Sequence, residues 1–197
     1  MKMKILYAIL IVALIPSSSA AASEPSYESK YVGQETREIK SLSEADIEEL
    51  TNGSGWGLAK AAELNGVPGP VHLLEMKKEI GLSPEQTEKI EILYQTMKKQ
   101  AIPLGLKLIE IELKLNNHFA DGTITEKLLD DLLEQIAHVR KQLRYVHLST
   151  HLKTPAILTA EQIDLYNTLR GYSSDDPCQN IPEGHDPEMW KRHHNCP

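Results

Sequence analysis

Twice in this chain a leucine precedes a hydroxyl residue with glutamine three positions further on: Leu82-Ser83-Pro84-Glu85-Gln86 and Leu158-Thr159-Ala160-Glu161-Gln162. A Ser or Thr oxygen that accepts from the N–H three residues later, with a Gln reaching back to the cap's own N–H, satisfies two orphan donors and starts a helix at a defined residue. Pro84, at the first helical position, loses nothing by lacking an N–H there. Behind the first box, Ile90, Tyr94, Met97, Ala101, Leu104, Leu108, Ile111 and Leu115 recur in steps of three and four, the spacing of a helix packed lengthwise on a partner. Pro103 and Gly105 interrupt the stripe, and the spacing predicts a kink at Pro103 rather than an end, since the pattern continues in phase. "FADGT" reads as a turn. Thr123 with Glu126 repeats the capping grammar and opens a second long helix with the stripe Leu129, Leu132, Ile136, Val139, Leu143 and Val146. So short a connection predicts two antiparallel neighbours. The second helix should run to about Lys153, because Pro155 disfavours helix before it. The second box then caps a last helix with Ile163, Tyr166 and Leu169, closed by Gly171.

Three shorter pieces precede the hairpin. "SEADIEELTNG" is a helix stopped by Gly53, "GWGLAKAAELNGVPGP" a short amphipathic helix carrying Trp56 and Leu58, and "VHLLEMKKEI" a third piece ended by Gly81. No strand pattern competes. The expectation is an all-α fold, a long antiparallel helical hairpin with short flanking helices. The apolar surplus at Ile102, Leu106, Ile109 and Leu113 predicts a second buried face, covered by further helices or by a dimer partner.

The ends of the chain bear on compartment. Residues 1–22 carry Lys2 and Lys4, an apolar run from Ile5 to Ile15 and small residues from Ser18 to Ala22, the three parts of a secretory signal peptide cleaved after Ala20 or Ala22. The run is too short to span a bilayer, and no Cys at the cleavage site supports a lipid anchor. Removing two lysines with it takes the net charge from −7 to −9 over 175 remaining residues. That length suggests a single domain, and the charge disfavours nucleic acid as partner. Residues 23–42, polar and without an apolar period, read as a flexible leader. The helical domain spans 43–172, and 173–197 form a tail. The tail holds both cysteines, Cys178 and Cys196, which an oxidising compartment would pair; by loop entropy such a closure contributes on the order of 3 kcal/mol.

Two boxes of this kind around a helical hairpin, in an exported acidic chain, resemble the Spy/CpxP family of periplasmic stress proteins, also called the LTXXQ family, and the neighbouring heavy-metal sensor and resistance proteins of the CnrX and ZraP type. The resemblance covers residues 55–172, with Ser83 standing where the family has Thr. It implies a helical, often dimeric, cradle-shaped fold without enzymatic activity. It also implies an envelope-stress role, as a chaperone independent of ATP that meets unfolded clients or a signalling partner, or as a metal-binding sensor.

Two pairs have metal-ligand spacing. His147 and His151, four apart near the end of the second long helix, fall on one face and can chelate one ion. His72 and Met76 stand in the same relation with Glu75 beside them, and a thioether would bias such a site toward softer metals among zinc, copper, nickel and cobalt. The CnrX-type sensors are similar in using an HxxxH pair, an HxxxM pair and a carboxylate. There HxxxH comes first, so only the chemical set carries over. A competing reading places His147 and His151 on a solvated basic face with Arg140 and Arg144, and Met76 in the core. The two pairs combine only if the third short helix folds back toward the open end of the hairpin. In the tail, His185, His193 and His194 form a looser metal-binding candidate, set against a disulfide-closed tail with incidental histidines. His118 and His138 stand alone. No nucleophile motif, glycine-rich phosphate loop or HExxH occurs, so no enzyme is expected and no cofactor is required.

Overall fold

The computed structural model describes residues 27–172 and, in the tail, Ile181, Gly184, residues 186–193 and Cys196. The predicted signal peptide, Cys178, His185 and His194 lie outside the described residues. The chain divides after Gly33. Within the short first unit, the Lys30 ammonium stands 5.1 Å from the centre of the Tyr31 ring.

Every regular element among the described residues is helical. A 3₁₀ turn at Gln34–Thr36 precedes α1 (Glu44–Asn52), α2 (Lys60–Glu63), α3 (Pro70–Glu75), α4 (Pro84–Ala120), α5 (Glu126–His151), α6 (Ala160–Leu169) and α7 (Pro187–His193). At 1.5 Å per residue, the 37 residues of α4 span about 55 Å and the 26 of α5 about 39 Å. The two pack lengthwise on each other. Met97, Ala101, Leu108 and Ile111 of α4 meet Leu132, Ile136, Val139, Leu143 and Val146 of α5 in one apolar cluster. A side chain buried as Leu108 is contributes about 1.5–3 kcal/mol.

Helix α4 passes through Pro103 without ending. Gly105 has a different cause from a break. A Cβ there would lie 2.1 Å from the Leu50 carbonyl oxygen, so its absence lets the end of α1 cross α4 in contact. Helix α1 begins at Ser43, whose capping box is completed by Asp46, and stops at Gly53 in the left-handed conformation.

The leader is where sequence and structure part. Ile39 and Leu42, within the stretch read as flexible, are buried in the hairpin cluster. The Ser41 hydroxyl donates to Glu112 at 2.8 Å and the Lys40 N–H to Asn116 at 3.2 Å, strapping the segment along α4. This strap and α1 cover part of the apolar surplus: Ile109 and Leu113 pack against the cluster, and Ile102 abuts Gly53. Two further expectations need correction. The cap of α5 is Thr125, whose oxygen accepts from Leu128 N–H at 3.2 Å. Thr123 is taken by the end of α4, where its hydroxyl pairs with His118 Nδ1 at 2.8 Å and its N–H reaches the His118 carbonyl. Trp56 and Leu58 precede α2 in a turn, between glycines whose backbone does not hold a helix.

Candidate functional site

Ser83 and Thr159 each accept from the N–H of the glutamine three residues on, at 3.1 and 3.2 Å, and each glutamine Oε1 takes the cap's N–H at 3.0 Å. The glutamines then bond to each other. Gln86 Nε2 donates to Gln162 Oε1 at 2.8 Å, and Gln162 Nε2 donates to Gln86 Oε1 at 3.0 Å. The remaining amide protons go to Ile157 O and Gly81 O, each two residues ahead of the opposite cap. Both amides therefore make four bonds, their full capacity. The relation extends into the packing. Ile90 and Tyr166, each seven residues beyond its cap, are both fully buried, and with Leu73 and Ile80 they form a second apolar cluster bordered by Leu82 and Leu158. The two boxes are one interlocked clasp that draws α3 and α6 over the open end of the hairpin.

A cavity of about 210 Å³ lies where the loop after α1, α2 and the start of α3 meet α4 and α5. From α5 come His147 and His151, one turn apart and both buried, at 2% and 6% exposure. They follow Leu143 and Val146 along the packed stripe, so they are not on a solvated basic face. Thr154 sits just past α5 and donates to Pro68 O at 2.6 Å, fixing the 67–70 segment against the helix end. Within that segment Val67 O lies 2.9 Å from His151 Nδ1. A carbonyl only accepts, so in the neutral ring Nδ1 carries the proton and Nε2 is the nitrogen with the lone pair. A Cβ on Gly69 would stand 2.6 Å from the His151 ring, which explains the bare backbone there.

His147 Nε2 is buried with no hydrogen-bond partner. Desolvation, and then the neighbouring His151, push its pKa down to about 4, so it is neutral at pH 7. His72 reaches the same cavity from α3. Its Nδ1 stands 2.9 Å from Glu75 and its Nε2 3.3 Å from Glu63. Glu63 Oε1 also accepts from Arg170 at 2.7 Å and from the Tyr172 hydroxyl at 3.1 Å, joining α2, α3 and the end of α6.

The third short helix thus does fold back, and His72, His147 and His151 share one cavity. Met76 does not join them. It caps the end of α3, packs in the open-end cluster beside Leu73, Ile80 and Tyr166, and is not among the residues that line the cavity with His72. The sulfur that lines the cavity is Met97, from the hairpin stripe, with Glu63 and Tyr94 beside it. The hydropathy period marks Met97 only as core, and nothing local marks Glu63. Among the described residues no group of three or more His, Cys, Asp or Glu side chains is placed to hold one ion. In the tail, His193 is exposed at the end of α7, and Cys196 is disulfide-bonded.

No helix among the described residues is long and apolar enough to cross a membrane. Compared with known proteins, the chain matches no family model, no curated protein and no solved structure.

Proposed function

We propose that this is a non-catalytic, dimeric envelope-stress protein of the Spy/CpxP kind, exported to the periplasm, in which the cavity at the open end of the hairpin binds a transition metal through His147 and His151. Two features support the resemblance: paired boxes at the hairpin's open end, and a signal-like start to the chain. One observation carries the metal assignment, the partnerless Nε2 of His147 in a cavity that also holds His151, whose Nδ1 is taken by the Val67 carbonyl so that Nε2 is the nitrogen left to ligate. A buried imidazole nitrogen without a partner costs about 1–3 kcal/mol, and ligation would remove that cost. Neutral imidazoles suit zinc, copper, nickel and cobalt, and Met97 in the same wall favours the softer of these. When bound, the metal would supply a link between α5 and the loops around it; waters or a shifted side chain would complete its ligands.

The broader role is that of an ATP-independent chaperone or stress modulator acting on unfolded clients or an envelope signalling partner. The partly exposed Ile92 and Leu106 on α4, with Leu133 and Tyr145 on α5, supply apolar contact surface for it. The alternative is a dedicated heavy-metal sensor of the CnrX or ZraP kind, with metal as the signal itself. Calorimetric titration with zinc, copper, nickel and cobalt is expected to show stoichiometric binding that disappears in His147→Ala/His151→Ala; absence of binding in the wild type would refute the metal site. Suppression of a denatured client's aggregation without ATP decides between the two roles. Suppression at near-equimolar ratio marks the chaperone, and none at several-fold excess, with metal bound, marks the sensor.

A further inference from the structure

We propose that the segment Gly53–Gly57 is a gate over the histidine cavity, latched by Trp56, and that its opening controls when a ligand reaches His147. The proposal rests on the metal-binding reading of that cavity and concerns its access. Gly53, Ser54, Gly55 and Gly57 form part of the cavity wall, so the chain there presents backbone and nothing larger than a serine to the interior. Trp56 is absent from the lining and instead joins the segment to two helices. Its N–H donates to Glu49 Oε2 at 2.8 Å and its indole N–H to Asp46 Oδ1 at 2.8 Å, both on α1. The Arg140 guanidinium of α5 lies 4.8 Å from the ring centre. Asp46 is also the residue that completes the cap of α1, and hydrogen bonds from Ser43 and then Trp56 hold its carboxyl below the usual range. The latch therefore fastens to an ionised side chain that is itself fixed.

The closed loop is not at rest. Trp56 has φ 41°, a left-handed conformation that a bulky aromatic residue rarely adopts and that persists only where its surroundings impose it. Gly57 beside it is also left-handed at φ 65°, and a Cβ on Gly55 would meet nothing within 4 Å, so the backbone has room to swing. Behind the loop lies the partnerless nitrogen of His147. Opening relieves both costs at once, the strained φ and the orphan nitrogen, while three contacts of a single residue, two of them from its side chain, hold the loop shut. Such a balance of a few contacts against stored strain is the physical content of a gate.

The test uses the full chain, with Trp56→Ala and the milder Arg140→Met, and two readouts. The first needs no ligand: carbethoxylation of His147 by diethyl pyrocarbonate, mapped by mass spectrometry, with exposed His138 as the internal reference. The second is the rate at which bound zinc passes to a chromophoric chelator. Loss of the cation–π contact and the indole hydrogen bond should speed His147 labelling on the order of tenfold in Trp56→Ala and less in Arg140→Met. Zinc release should quicken in step, with Kd within about twofold, as a change in rates without a change in ligands requires. Unchanged His147 labelling in folded Arg140→Met and Trp56→Ala overturns the gate, whether or not zinc binds. Should Trp56→Ala fail to fold, Arg140→Met decides alone. Faster labelling in a protein that binds no zinc would uphold the gate and remove the metal reading.

Discussion

At the scale of single residues, His147 carries the most consequence. Its position four after Leu143 places it on the packed face of α5, and burial lowers its pKa from 6.5 to about 4. Above about pH 6.5 it is neutral in folded and unfolded chains alike and adds no pH dependence. As pH falls below that value the unfolded chain takes the proton first. Stability is lost until about pH 4, where the folded protein is protonated too. A depression of that size corresponds to on the order of 3 kcal/mol. Urea unfolding at pH 7 and pH 4.5 should therefore show wild type losing about 2–3 kcal/mol more than His147→Leu; equal losses would mean the imidazole is hydrated. Metal bound to the same nitrogen would oppose protonation, so zinc should flatten the wild-type profile.

At the scale of elements, helix crossings decide what a glycine is for. An exposed mid-helix Gly→Ala change usually stabilises by about 1 kcal/mol. Gly105→Ala should do the opposite, by about 1–3 kcal/mol, because its Cβ would stand 2.1 Å from the Leu50 carbonyl and α1 must move. Thermal unfolding of that variant checks the crossing, and a rise in Tm would show that α1 does not lie there. The same distinction explains what was legible in the sequence. The starts of α1, α4 and α6 are written in local chemistry, a hydroxyl and a side chain three residues on, and need no tertiary knowledge. The start of α5 offered two threonines two residues apart, and the choice fell to His118, which engages Thr123 across the end of α4. The strap at Ile39 and Leu42 has no period to read, because Glu112 and Asn116, more than 70 residues away, anchor its chain.

At the scale of the whole molecule, the cavity was legible only as residue types. His147 and His151 share a helix face in any reading and Met97 reaches them through the packing of α4 on α5, but bringing His72 to them while Met76 goes to the other cluster depends on how α3 settles over the open end. The element that settles it is the clasp of Gln86 and Gln162, whose mutual bonding is invisible in either box alone. Each box taken singly is a helix cap. Together they close the cluster around Ile90 and Tyr166 and hold the 66–70 loop, through Asn167 and Gly66, against His151. The most direct test is a double-mutant cycle in urea with Gln86→Ala, Gln162→Ala and the pair. Two independent caps would give additive losses, whereas residues in one hydrogen-bonded network couple by about 0.5–3 kcal/mol. The interlocked clasp predicts a coupling of at least about 1 kcal/mol; additivity within about 0.3–0.5 kcal/mol would contradict it.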